Sequence, residues 1–415
     1  VFFILKAKIF ANYFAFRMKR LYSAAMIKER SITGLILDDL KDKMVFVGGP
    51  RQVGKTTLCR NLVAGSFKNH AYFNWDNRTD RKAIMAATWP GDVDLLIFDE
   101  IHKYRPWKGL IKGEYDKHGG TFKFLVTGSA RLDLYRRGGD SLQGRYHYYR
   151  LHPFSLAEIE GRFDSPQIFE ALPLGRDFYQ ETMHALEIFG GFPEPFTKQN
   201  TRRLRRWHNE KIERMFREDI QDIENVRDIG NMKLLSDILP DKVGSRLSLN
   251  SLREDIEVSH RAVTNWMDIL ESFYYHFRIY PYAATRIRSL KKEPKLYLWD
   301  WSEVHEEANR FENLIASHLL KFIHFLTDRE GYRAELSYLR DVDKREVDFL
   351  VTIDGKPWFA VEAKLNDTSL SPHLLYFQQR LAIPYVYQVV GKDHVDLLDK
   401  GGRVVSAGKF LAGLI

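Results

Sequence analysis

Two groups of residues in this 415-residue chain have types and spacings that could do chemistry. The first is Gly49-Pro50-Arg51-Gln52-Val53-Gly54-Lys55-Thr56-Thr57, which contains G-x-x-x-x-G-K-T, the phosphate-binding P-loop pattern. Glycines let the backbone curl until several N–H groups point at one phosphate, and a following helix N-terminus adds partial positive charge. Lys55 can then reach the β- and γ-phosphates of a nucleotide, and the Thr56 hydroxyl can ligate magnesium. Asp99 and Glu100 close an apolar run downstream. Asp99 can hold magnesium through water, and Glu100 can orient and activate the attacking water. Thr127-Gly128-Ser129 closes another apolar run, which predicts the Ser129 hydroxyl between the two acids and the γ-phosphate, although Ser and Thr also serve there as helix N-caps. Arg145 is the expected arginine finger, with Arg131, Arg136 and Arg137 as rivals. The second group is Asp348, Glu362 and Lys364, with Glu312 upstream.

The elements that must position these residues are legible nearby. Met44-Val45-Phe46-Val47 predicts a buried strand before the glycine loop, and Thr57 to Val63 has helical spacing. Asp94 to Phe98 reads as a strand buried on both faces, so its acids emerge at the C-terminal end, where open α/β sheets bind ligands. Further on, Arg345 to Val351 and Trp358 to Lys364 predict a hairpin around Asp354-Gly355-Lys356. A three-residue loop would set Ile353 opposite Pro357 and hence Asp348 opposite Glu362. Glu362 and Lys364 then share one face. Phe311 to Leu320 has the pattern of an amphipathic helix that can add Glu312. Salt-bridged strands also produce such acid and lysine patterns.

Hydrophobic residues make up 44% and aromatics 13%, which supports ordinary folded cores. A net charge of +8 suits a polyanionic partner, and equally a basic protein without one. The single cysteine, Cys59, builds no disulfide framework, so a cytoplasmic location is expected. The opening Val1-Phe2-Phe3-Ile4-Leu5 is interrupted by Lys6, Lys8 and Arg17 and is too short to span a bilayer. Met18 or Met26 is the expected native start, and no integral membrane segment is expected. The run Arg202-Arg203-Leu204-Arg205-Arg206 reads as a solvated helix face paired with Glu210, Glu213 and Glu218, or as a nucleic-acid or subunit contact. Two capped helices, from Ser248 and from Ser259, followed by the aromatic run Phe273 to Tyr280, suggest a winged helix.

The order GGPRQVGKTTL, LLIFDEIHK with Pro106-Trp107, FLVTGSARL and LQGRYHYYRLHPFSLAEI resembles a group of prokaryotic AAA-type ATPases. GGFPEPF and Arg217-Glu218-Asp219-Ile220 also fit that group, while His102 stands where it usually has glutamine. The resemblance runs from about Ile27 to the end. It implies an α/β fold: a P-loop core over 27–163, a helical lid over 164–232, a winged-helix-like segment over 233–288, and a nuclease-like domain over 289–415. Residues 1–26 are then an extension outside the native structure. The set Glu312, Asp348, Glu362 and Lys364 resembles the PD-(D/E)xK nuclease superfamily. In that chemistry Asp348 and Glu362 would hold magnesium, and Lys364 would position a water or neutralise charge at the phosphate. The implied cofactors are ATP and magnesium, and the implied partners are DNA and further copies of the chain. Either an active nuclease or a binding platform fits the C-terminal fold.

Overall fold

The computed structural model describes residues 29–128, 142–164, 166–220, 228–283, 292–399 and 401–415. The N-terminal extension, Ser129, Arg131, Arg136 and Arg137 lie outside them.

Five short strands form the first sheet: β1 (Met44–Gly48), β2 (His70–Asn74), β3 (Leu95–Asp99), β4 (Lys123–Gly128) and β5 (Tyr146–Arg150). Their order is β2-β3-β4-β1-β5, and every pairing is parallel. A parallel sheet needs cover on both faces, which explains why β1 and β3 are buried along their whole length. Alternation divides their side chains between two cores. Val45, Val47, Leu95 and Ile97 face one, while Met44, Phe46, Leu96 and Phe98 face the other. Because the strands run the same way, Gly48, Asp99 and Gly128 all end on one edge.

The second sheet has eight strands: β6 (His276–Pro281), β7 (Lys295–Leu298), β8 (Ala334–Arg340), β9 (Glu346–Ile353), β10 (Lys356–Lys364), β11 (Tyr385–Val390), β12 (Asp396–Asp399) and β13 (Gly402–Ser406). Their order is β12-β13-β11-β10-β9-β8-β6-β7. The hairpin between β9 and β10 turns on two residues, Asp354 (φ 51°) and Gly355 (φ 80°), with Ile353 paired to Lys356. That is one residue tighter than the expected three-residue loop. A bulge between Pro357 and Phe359 then shifts the register, and Val361 pairs with Phe349. The pairing ends there, and just beyond it the Asp348 N–H points to Glu362 Oε2 at 3.4 Å.

Helices connect and cover these sheets. We label α1 (Leu156–Ile159), α2 (Thr201–Arg214), α3 (Leu249–Asp255), α4 (His260–Ser272) and α5 (Glu307–Glu330). Ser248 and Ser259 cap α3 and α4 through the N–H groups of Ser251 and Ala262, as their sequence positions suggest. The strand expected from Phe273 begins only at His276, because Tyr274 turns the chain with φ 61°. That strand, β6, is hydrogen-bonded between β7 and β8 and so belongs to the second sheet. Helix α5 packs on both sheets: its Leu314, Leu319 and Phe322 share one continuous core with Val45 of β1 and Phe359 of β10.

Candidate functional site

The phosphate loop leaves β1 at Gly48 and enters a helix at Lys55–Thr57, which widens into a π-helical turn over Leu58–Val63. Two glycines make the path. A Cβ on Gly49 would sit 2.4 Å from the Leu151 carbonyl oxygen, and Gly54 has φ 102°. Beneath the loop lies Arg30, which sequence reasoning missed. Its Nη1 donates to the Val53 carbonyl at 3.1 Å, Nη2 donates to the His152 carbonyl, and Nε meets Glu158 Oε2 at 3.2 Å. Arg51 reaches out to Glu218 at 2.5 Å. Pro50, Gln52, Val53 and Thr57 complete the loop and the first helical turn.

Lys55 is buried, with Nζ donating to the carbonyls of Gly49 (3.0 Å) and Pro50 (2.8 Å). Asp99, at the end of β3, accepts three hydroxyls: Thr56 (2.7 Å), Tyr72 (2.6 Å) and Thr127. Tyr72, a second residue that sequence reasoning missed, is held in its protonated state by burial and by Asp99. Glu100 follows with φ 56°, a left-handed backbone that is uncommon for a glutamate. Its carboxylate lies 3.7 Å from His102 Nε2. Burial lowers His102 to about 4, against the pull of Glu100, so the ring is neutral near pH 7. Neither His102 nitrogen has a hydrogen-bond partner among the described residues.

Arg145 is placed elsewhere. It precedes β5, its carbonyl accepts the Met44 N–H, and its guanidinium pairs with Asp116 at 2.8 Å. β1 and β5 run parallel from Met44 and Tyr146, so Arg145 lies on the sheet edge opposite the phosphate loop. Within one chain it does not join Lys55 and the acids.

The C-terminal residues do come together, on one face of the second sheet. Asp348 Oδ2 accepts the Ala363 N–H at 3.0 Å, and the Asp348 N–H points to Glu362 Oε2 at 3.4 Å. Lys364 meets Glu362 Oε1 at 2.8 Å. Glu312, on α5, accepts from the Tyr297 hydroxyl at 2.6 Å. Sequence reasoning missed Lys295, at the start of β7. Its ammonium is 3.0 Å from Asp348 Oδ1, 3.3 Å from Glu312 Oε1 and 2.9 Å from Glu346 Oε1. Burial, reinforced by Asp348, lifts Glu312 to about 7 and Glu362 to about 8. Burial opposes the charge on Lys295, but Tyr297, Asp348, Glu312 and Glu346 outweigh it and hold the proton.

The two sites differ in their fit to magnesium. At the first, the Thr56 hydroxyl and the Asp99 carboxylate converge beside the phosphate loop, which is the donor set such an ion needs. At the second, an ammonium already lies against Asp348 and Glu312, so the residues as arranged do not fit the ion.

The stretch that holds the first site matches a family model. Residues 41–160 match the family model described as AAA domain, and this stretch carries β1 to β5. Together with the parallel sheet, the match supports a P-loop NTPase core in this part of the chain. Residues 180–312 and 308–410 match two models, each described as a domain of unknown function. An uncharacterized protein of Mycobacterium tuberculosis is 23% identical over 360 residues, covering 82% of this chain and 76% of its own length. One from Methanocaldococcus jannaschii is 22% identical over 370 residues, covering 82% and 79%. Among solved structures, a Walker-type ATPase of Pyrococcus abyssi is 13% identical, covers 68% of this chain and 96% of its own, and has a TM-score of 0.42. Among the described residues, no helix is long and apolar enough to cross a membrane.

Proposed function

We propose that this chain binds ATP with magnesium and hydrolyses it. The observation that carries this reading is the meeting of Lys55, Thr56 and Asp99 at the C-terminal edge of a parallel sheet, with Glu100 as the next residue. Backbone N–H groups of residues 49–56 would receive the phosphates, and Lys55 would turn from the loop carbonyls to the β- and γ-phosphates. Magnesium, held by Thr56 and Asp99, would set positive charge against the phosphate oxygens. Glu100 would take a proton from the attacking water while the bond from the γ-phosphorus to its bridging oxygen breaks. Thr127 and Tyr72 fix the Asp99 carboxylate, and Ser129 would extend that hydroxyl set. Arg145 would act only on a neighbouring copy of the chain, so a finger role requires a homo-oligomer.

ATP turnover of the purified chain tests this. Lys55→Ala should lose nucleotide binding. Glu100→Gln should keep binding and slow turnover by roughly 10²–10⁴-fold. Unchanged turnover in both variants would remove the assignment.

The C-terminal segment reads best as a nuclease-like fold whose state follows the nucleotide, working on or near DNA. The meeting of Glu312, Asp348, Glu362 and Lys364 supports it. Helix α4 of the winged-helix-like segment and the exposed Arg202, Arg203 and Arg205 of α2 are the surfaces for DNA. A second reading, a binding platform without cleavage, is favoured by the ammonium among the acids. Magnesium-dependent DNA cleavage that is lost in Glu362→Ala and Lys364→Ala would support the nuclease. No cleavage by the wild type with any divalent ion would support the platform.

A further inference from the structure

We infer that Lys295 is the resident cation of the C-terminal acidic site, standing where a divalent metal would otherwise bind, so that this site works without a metal. The inference rests on the nuclease-like reading of the acid set.

Three observations carry it. The first is charge. The Lys295 ammonium lies 2.9 to 3.3 Å from three carboxylates, those of Glu312, Glu346 and Asp348, and donates hydrogen bonds to Glu312 and Asp348. Its charge is therefore met by acids from α5 and β9.

The second is occupancy. Asp348 spends one oxygen on Lys295 and the other on the Ala363 N–H. Glu312 Oε1 is shared by Lys295 and the Tyr297 hydroxyl. Glu362 is taken by Lys364 and by the Asp348 N–H. A divalent ion needs oxygens at roughly 2.0–2.6 Å around one centre. The centre between Glu312 and Asp348 is already filled by nitrogen.

The third is burial. Lys295 is 3% exposed, and its ammonium lies enclosed among the acids. Metal entry would leave two buried positive centres side by side, with the ammonium stripped of partners. Removing one partner from such a set is costly, so the lysine and the ion exclude each other. Lys364 is half exposed and pairs only with Glu362 among the ion pairs of this site, so it is not the excluding group.

Mn²⁺ binding to the full chain without nucleotide, followed by electron paramagnetic resonance, tests this. The wild type should take up no ion that depends on Asp348. Lys295→Met should gain one ion per chain, and the added change Asp348→Asn should remove it. If Lys295→Met does not fold alone, Lys295→Met/Glu346→Gln restores the charge balance and keeps Glu312, Asp348 and Glu362 for the same measurement. Wild-type uptake that vanishes in Asp348→Asn would overturn the inference and leave the nuclease-like reading standing. No uptake by the wild type or by either lysine variant would overturn both, because the acids would then not be a cation set.

Discussion

Glu158 shows how much one buried residue can carry. Its carboxylate, on α1, meets Arg30 at 3.2 Å and Lys321 of α5 at 2.5 Å, and also accepts the Ser31 N–H. Burial alone would raise its pKa, but Arg30 and Lys321 outweigh burial and hold it down to about 2. A folded value below the ordinary 4.5 means the contribution is complete above pH 4.5. It fades as the pH falls towards 2. Wild-type stability should therefore drop by on the order of 3 kcal/mol across that window, and Glu158→Gln should lack this component in urea titrations. At neutral pH the same variant should lose about 3–5 kcal/mol, since Arg30 and Lys321 are left buried without their acid. A second test at this scale is Gly49→Ala. Its Cβ would meet a backbone oxygen at 2.4 Å, which side-chain motion cannot relieve. Nucleotide binding should fall along with stability, read by calorimetry and by a thermal melt.

Elements with local signatures were legible in the chain. The strand, loop and helix of residues 44–63, the acids ending β3, and the serine caps of α3 and α4 all follow from neighbours a few residues apart. The hairpin of β9 and β10 was legible in its outcome but not in its details. Asp-Gly is itself a two-residue turn signal, and the bulge beside Trp358 makes up the missing residue. Gly355→Ala should cost about 1–2 kcal/mol in denaturant titrations, because φ 80° is unfavourable for any residue with a Cβ. Nothing local announced Arg30, which finds Glu158 across 128 positions, or Lys295, which finds Asp348 across 53. Those partners are set by how strands and helices stack. The place of Arg145 before β5, across the sheet from the phosphate loop, is set in the same way and has no local signal.

At the scale of the whole molecule, α5 joins the two sites. Glu312 near its start belongs to the acidic site, while Lys321 and Asp328 bond to Glu158 and Arg150 on the nucleotide-binding side. Nine helical residues place Lys321 about 13 Å along the axis from Glu312. Arg30 carries the contact on to the phosphate-loop carbonyl of Val53. Magnesium and a non-hydrolysable ATP analogue should therefore slow amide exchange in α5 as well as in the loop, most clearly in Glu100→Gln. Protection confined to residues 49–63 would show that the two sites do not communicate. Such motions can also be followed by distance. Cys59 is wholly enclosed, and its thiol is kept protonated chiefly by burial. The native chain is thus nearly silent towards maleimides, and spin labels on cysteines introduced at the outward-facing Val342 and Leu398 would report without deleting any natural sulfhydryl.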